Sequence, residues 1–247
     1  MRVPPGLGAG GRALVDLVLP RTCAGCGVPG ALLCRPCAQL LARPRLAQPR
    51  RHPPGFPPTV AAGDYAGPVR PAVLAFKEHS RAELAGPLGT ALALAVAAVL
   101  AAVPDDGGPV LLVPVPSSAA AVRRRGRDHV RELAGTAVAE LVAAGLSAGT
   151  ARLLGRAAGR GVRDSAGLDA AARRANLAGR FRVRGTVPPG ARLVLVDDVV
   201  TSGATLTEAA RALGPYGGTP VLGAVVAATP RRPSGPVSRG DQGRNRR

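Results

Sequence analysis

Two adjacent carboxylates, Asp197 and Asp198, end an apolar run, Leu193–Val196, and lead into the turn Thr201-Ser202-Gly203-Ala204-Thr205. Carboxylates accept hydrogen bonds from vicinal hydroxyls, and small hydroxyl residues let a backbone close around an anion. The periodic segment Leu206–Leu213 follows the turn and reads as a helix. A helix start presents unpaired N–H groups and a partial positive charge, which suits a phosphate. Hydroxyl acceptors beside an anion cradle point to a phosphorylated sugar. An ordinary strand-to-helix turn capped by Thr205 would account for the turn but not for the paired acids.

A second constellation is Cys23-Ala24-Gly25-Cys26 with Cys34-Arg35-Pro36-Cys37, which together hold every cysteine of the chain. Two C-x-x-C pairs on a short link can place four thiolates around one zinc ion, with Gly25 and Gly27 allowing the tight turns. Disulfides or a redox pair are the other uses of such spacing, though nothing marks an oxidising compartment. Four sulfurs, Cys23, Cys26, Cys34 and Cys37, would close the coordination shell, so the site reads as structural, and metal binding would supply most of its folding free energy.

The third is basic. Arg123, Arg124, Arg125 and Arg127 follow Pro114-Val115-Pro116-Ser117-Ser118. Ser117, Arg123 and Arg125 could receive a diphosphate, because guanidinium forks match phosphate oxygens. Charge runs also commonly face solvent at a helix start. His129 could act as acid or base, although a lone histidine is more often structural.

The whole chain of 247 residues carries a formal charge of +18. Such a charge ordinarily signals a polyanion partner. Here Lys77 is the only lysine, isoleucine is absent, and Ala, Arg, Gly and Pro abound, the pattern of a GC-rich coding sequence. The excess of Arg over acid remains real. Aromatics at 2% argue against binding single strands by base stacking. Arg2, Pro4, Pro5 and Gly-rich sequence do not read as a signal peptide. Leu88–Val103 is apolar but short and Ala-rich, so it reads as a buried helix rather than a membrane span. These features predict a soluble, cytoplasmic protein.

Positioning the three constellations requires elements. Leu193–Val196 and Val110–Val113 read as strands buried on both faces. Val60–Tyr65 reads as an edge strand, Ala151–Leu154 as a third short strand, Phe181–Val183 as extended, and Val221–Ala228 as the last strand. Helices are predicted over Arg12–Leu19 (short and amphipathic), Val69–Phe76, Pro87–Val103, Asp128–Ala144 and Ala170–Leu177. Arg156–Arg174 reads as a surface loop or a lid. The predicted organisation is an N-terminal helix and cysteine knuckle over 1–41, a Pro/Arg-rich linker over 42–58, one domain over 59–229, and a disordered basic tail over 230–247. Buried strands feeding helices predict an α/β fold, a Rossmann-like open parallel sheet with helices on both faces. Ligands of such sheets sit at the carboxyl ends of strands, where the loops after Val113 and Val196 both lie.

The stretch Val194–Leu206 resembles the phosphoribosyl-diphosphate (PRPP) signature of type I phosphoribosyltransferases. The chain as a whole resembles the ComF family, named for a competence protein. The resemblance is carried by the paired C-x-x-C motifs, the Val113-Pro114-Val115-Pro116 strand end with Arg125-Gly126, and Arg173 with Asn176-Leu177-Ala178-Gly179 before Phe181. It implies that Asp197 and Asp198 hold ribose hydroxyls, that Thr201, Ser202, Gly203, Ala204 and Thr205 cradle the 5′-phosphate, and that Mg²⁺ arrives with PRPP. It also implies a type I phosphoribosyltransferase fold with a small zinc-binding segment. Where the family usually has Arg-Gly-Phe-Asn-Gln, this chain has Arg125-Gly126-Arg127-Asp128-His129, and Ser165 stands where a Gln is common. The implied activity is transfer of ribose 5-phosphate from PRPP to a nitrogenous base with release of diphosphate. The alternative is a non-catalytic accessory of DNA uptake or recombination that binds single-stranded DNA or a helicase. The acceptor base and the oligomeric state are left open by the sequence.

Overall fold

A computed structural model describes residues 21–49, 53–105, 107–157, 179–216 and 220–230. The predicted helices Arg12–Leu19 and Ala170–Leu177, most of the Arg156–Arg174 loop and the tail beyond Pro230 lie outside them.

Strands β1 (Arg45–Leu46), β2 (Thr59–Asp64), β3 (Val110–Pro114), β4 (Ala148–Thr150), β7 (Arg192–Val200) and β8 (Leu222–Ala228) form one sheet in the order β1-β2-β8-β7-β3-β4. All neighbours are parallel except β1, which pairs antiparallel with β2. β5 (Leu154–Arg156) and β6 (Phe181–Val183) make a separate antiparallel pair. The helices are α1 (Arg35–Gln39), α2 (Val69–Glu78), α3 (Ala85–Leu100), α4 (Ala119–Arg125), α5 (His129–Ala143) and α6 (Ala204–Leu213). This is the mostly parallel α/β sheet that the alternation of buried strands and helices predicts.

Alternation along β7 divides the core. Val194 and Val196 face a cluster built with Val73 and Phe76 of α2, Leu88, Leu92 and Val96 of α3, and Leu133 of α5. Leu193 and Leu195 face the other, built with Leu206, Ala209 and Leu213 of α6 and with Leu154 and Phe181 of the small hairpin. Both faces are covered, which is why the strands read as continuous apolar runs.

Three expectations need correction. Val60–Tyr65 is not an edge: β2 is buried along almost its whole length between β8 and the two residues of β1. Its side chains alternate between the two cores, which requires cover on both faces. The third strand is not Ala151–Leu154. The first three residues of that run fall between β4 and β5, where the chain leaves the sheet, and Leu154 opens the hairpin strand β5. The helix at the acidic turn begins at Ala204, two residues before Leu206, with Gly203 rather than Thr205 at its cap.

The described parts of 42–58 lie against the domain. Ala47 is buried and Phe56 packs against the α6-side core, while Ala47 donates its N–H to the Thr59 carbonyl. The apolar helix α3 with its preceding turn, Ala82–Leu100, is long and apolar enough to cross a membrane. It packs instead against α5, β8 and β2, as the core helix its composition predicts.

Candidate functional site

Register brings the two loops together. Pro114 of β3 lies level with Val196 of β7, and Val115 donates its N–H to the Val196 carbonyl at 3.0 Å. The Pro116–Ser118 loop and the Asp197–Thr205 segment therefore leave the same end of neighbouring strands. The sequence-predicted Asp197 and Asp198 do not end their strand: they lie among the last four residues of β7, which runs on through Val199 and Val200 paired with β8, and Thr201 and Ser202 are exposed beyond it.

The turn is shaped for an anion. Gly203 is buried and left-handed, with φ 76°, and no side chain caps the helix start. Left-handed residues at such mouths form backbone nests whose N–H groups converge. A Cβ at Gly203 would lie 2.8 Å from Phe56 Cδ2 and 3.0 Å from Pro49 Cγ, so residues of the 42–58 segment press directly on the cradle. Thr207 closes the first turn by donating both its N–H (2.9 Å) and its hydroxyl (3.0 Å) to the Gly203 carbonyl.

The two carboxylates part company. By alternation Asp198 points to the α2/α3/α5 face and Asp197 to the α6 face. Asp198 is buried, 3% exposed. Its Oδ1 accepts the Val199 N–H at 2.7 Å, while its Oδ2 meets Lys77 Nζ at 2.8 Å and His129 Nε2 at 3.0 Å. Burial alone would raise the Asp198 carboxyl. The His129 hydrogen bond and the Lys77 ammonium outweigh it and hold the group below the usual carboxylate range. Asp197 accepts the Asp198 N–H on Oδ1 at 2.8 Å. Burial first, and the Asp198 charge second, push the Asp197 carboxyl well above its ordinary value. Asp198 is thus an anchor held by Lys77, His129 and the Val199 N–H, while Asp197 has neither cation bonded to it.

Lys77 and His129 are the residues that sequence reasoning missed or left as structural. Lys77 ends α2, and His129 opens α5 behind the cap residue Asp128. The one signal for Lys77 was its solitude: a single lysine among 33 basic residues is out of keeping with the drift to arginine. The departures from the ComF pattern also find work. Arg127 stands with its Cζ 4.2 Å above the Phe76 ring, donates to the Phe76 carbonyl at 2.7 Å and pairs with Glu132. It clamps the end of α2 to α5.

The predicted diphosphate arginines are mostly engaged. Arg124 and Arg125 both pair with Glu78 of α2, at 3.0 and 3.3 Å, and Arg125 also contacts His129 Nδ1 at 3.2 Å. Arg123 is exposed. Ser117 lies in the loop before Ser118, whose hydroxyl accepts the Ala121 N–H to cap α4.

The four thiols converge as their spacing implies. Cys23, Cys26, Cys34 and Cys37 place their sulfurs within 4.8 Å of one another. A tetrahedral zinc with bonds of about 2.3 Å needs sulfurs about 3.8 Å apart, so the donor set fits a structural zinc. Backbone N–H groups of Gly25 and Cys34 point at Cys23 Sγ, at 3.4 and 3.3 Å. Burial works against the Cys23 thiolate, yet backbone donors led by Cys34 bring its thiol down to about 6. The knuckle rests on the domain. A Cβ at Gly25 would lie 2.9 Å from the carbonyl of Pro68, the cap of α2, and Arg81, just past that helix, donates to the Thr22 carbonyl at 3.1 Å.

No curated protein matches the chain. Residues 135–241 match the family model of the phosphoribosyl transferase domain, a stretch that takes in Asp197, Asp198 and the whole Thr201–Thr205 turn but begins after Lys77 and His129.

Proposed function

We propose that this protein is a ComF-like, cytoplasmic phosphoribosyltransferase that binds PRPP with Mg²⁺ and transfers ribose 5-phosphate to a nitrogenous base, releasing diphosphate. The observation that carries the reading is the uncapped, left-handed Gly203 turn that follows the two carboxylates of β7, inside the stretch that matches the phosphoribosyl transferase domain. In this reading Thr201, Ser202, Gly203, Ala204 and Thr205 hold the 5′-phosphate and Asp197 accepts the ribose hydroxyls. A carboxylate placed there stabilises the positive charge that develops on the ribosyl ring, and the anchored phosphate supplies orientation. Mg²⁺ would bind chiefly through ligand oxygens and water. The cysteine knuckle holds zinc as a structural element.

Incubation with Mg–PRPP and a panel of nucleobases, following diphosphate release, tests the reaction. Diphosphate that appears only with one class of base supports it. Calorimetry separates binding from turnover: Asp197→Asn should abolish most of the heat of Mg–PRPP binding, and equal heats from wild type and variant would sink the reading.

A further inference from the structure

The Asp198 anchor holds something besides itself in place. Lys77 Nζ lies 2.8 Å from Asp198 Oδ2, and the side chain is about a third exposed, at 30%. An ammonium has three donors, and among the described residues only Asp198 takes one. Burial opposes its charge, but Asp198 and then Asp197 more than compensate and raise its affinity for the proton. Of the arginines nearby, Arg124 and Arg125 share Glu78 and Arg127 is held by Glu132, while Arg123 is exposed. His129 spends Nε2 on Asp198 and Nδ1 on Arg125. A charged donor with spare hydrogens therefore stands at the acidic strand end, on the side of the residues that follow the Pro116–Ser118 loop.

We propose that Lys77 is a ligand-contacting residue of this site, receiving the diphosphate end of the phosphosugar, and that Asp198 is a positioning residue that aims it. The assignment rests on the phosphosugar reading above. As the bond between ribose C1 and the diphosphate oxygen breaks, its electron pair leaves with the diphosphate while the base nitrogen bonds to C1 through its lone pair and releases its N–H proton to water. The ammonium stabilises the growing charge by hydrogen bonding, with no proton transferred from it. Aim comes from α2, whose start lies against the knuckle through Gly25 and Pro68 and whose end is clamped by Arg127.

The test compares two ligands, Mg–PRPP and ribose 5-phosphate, which differ in the diphosphate. By calorimetry Lys77→Met should weaken Mg–PRPP binding by about tenfold or more, the worth of one charge-assisted hydrogen bond. Ribose 5-phosphate binding should be nearly unchanged, and Lys77→Arg should recover most of the loss. Because Lys77 is the only lysine, selective isotopic labelling of lysine yields one side-chain resonance in the unaltered protein. That resonance should shift with Mg–PRPP and not with ribose 5-phosphate, whether or not the variants fold. Equal losses for both ligands, or a resonance indifferent to Mg–PRPP, would overturn the assignment. Wild-type protein that binds ribose 5-phosphate but not Mg–PRPP also overturns it, and binding of neither fells the phosphosugar reading itself.

Discussion

Asp197 and Asp198 are chemically identical and one peptide apart, yet their environments drive them in opposite directions. Asp198 gives up its solvation but gains a buried ammonium and an imidazole; Asp197 gives up solvation next to a like charge. Asp198→Asn should therefore cost about 3 kcal/mol of stability at neutral pH, because it breaks a buried pair and orphans its partners. Asp197→Asn should cost well under that, since the folded state already disfavours its charge. The two also differ in sign with pH. A carboxyl lowered by folding stabilises above its unfolded pKa of about 3.9 and loses that contribution as pH falls below it. The stability gap between wild type and Asp198→Asn should close as pH drops through that range. Asp197, raised by folding, behaves oppositely, favouring the folded state at low pH and losing that favour as pH rises. Denaturant melts of both variants at neutral and acid pH read this directly. At this scale the sequence showed which atoms could do chemistry. It showed neither that the pair divides its labour nor that Lys77 and His129, 121 and 69 residues before Asp198, complete it.

Among the elements, the Gly203 turn is the most constrained. Alanine there meets both a left-handed φ, costing about 1–2 kcal/mol, and the Phe56 and Pro49 side chains at contact distance. Gly203→Ala should lower the melting temperature and weaken Mg–PRPP more than the strain alone accounts for, because the N–H groups of the cradle move with the turn. Calorimetry beside thermal melts separates the two. The strand and helix beside this turn were legible from Leu193–Val196 and Leu206–Leu213, since buried strands and amphipathic helices have periods of their own. The helix start was misplaced at Thr205 because a threonine is a good cap, whereas here the turn is set by Gly203. Val60–Tyr65 was legible as a strand but not as an interior one. Which strand lies inside is decided by neighbours far along the chain, here β8 and the two-residue β1.

Across the whole molecule, the knuckle and the acidic strand end are joined by α2. Leu41 is buried in the same core as Val73 and Phe76, and Leu32, Leu33 and Leu40 pack against it. Removing the metal should unfold the knuckle, lower the melting temperature and also move the single lysine resonance, because α2 loses the contact at its start. A lysine signal unmoved by a chelator, with zinc loss confirmed by metal analysis, would show the knuckle to be energetically separate from the site. Charge is also arranged at this scale. Asp64, Glu78, Glu83, Asp105, Asp128, Glu132 and Glu208 each pair with arginine. Among the described residues most acids are thus spent on arginine, while Glu140 instead accepts from the Thr90 hydroxyl.

By itself the sequence determined what depends on neighbouring residues: apolar periods that make strands and helices, cysteine spacing that suits one metal, and an acidic turn that can hold a phosphate. Tertiary structure alone decided which carboxylate takes the cations, which arginines are already spent and where the only lysine goes. Those outcomes depend on the pleat of β7, which sends Asp197 and Asp198 to opposite faces, and on helices that meet Asp198 from distant parts of the chain. No local pattern encodes such meetings, because burial and Coulomb forces act through space rather than along the backbone.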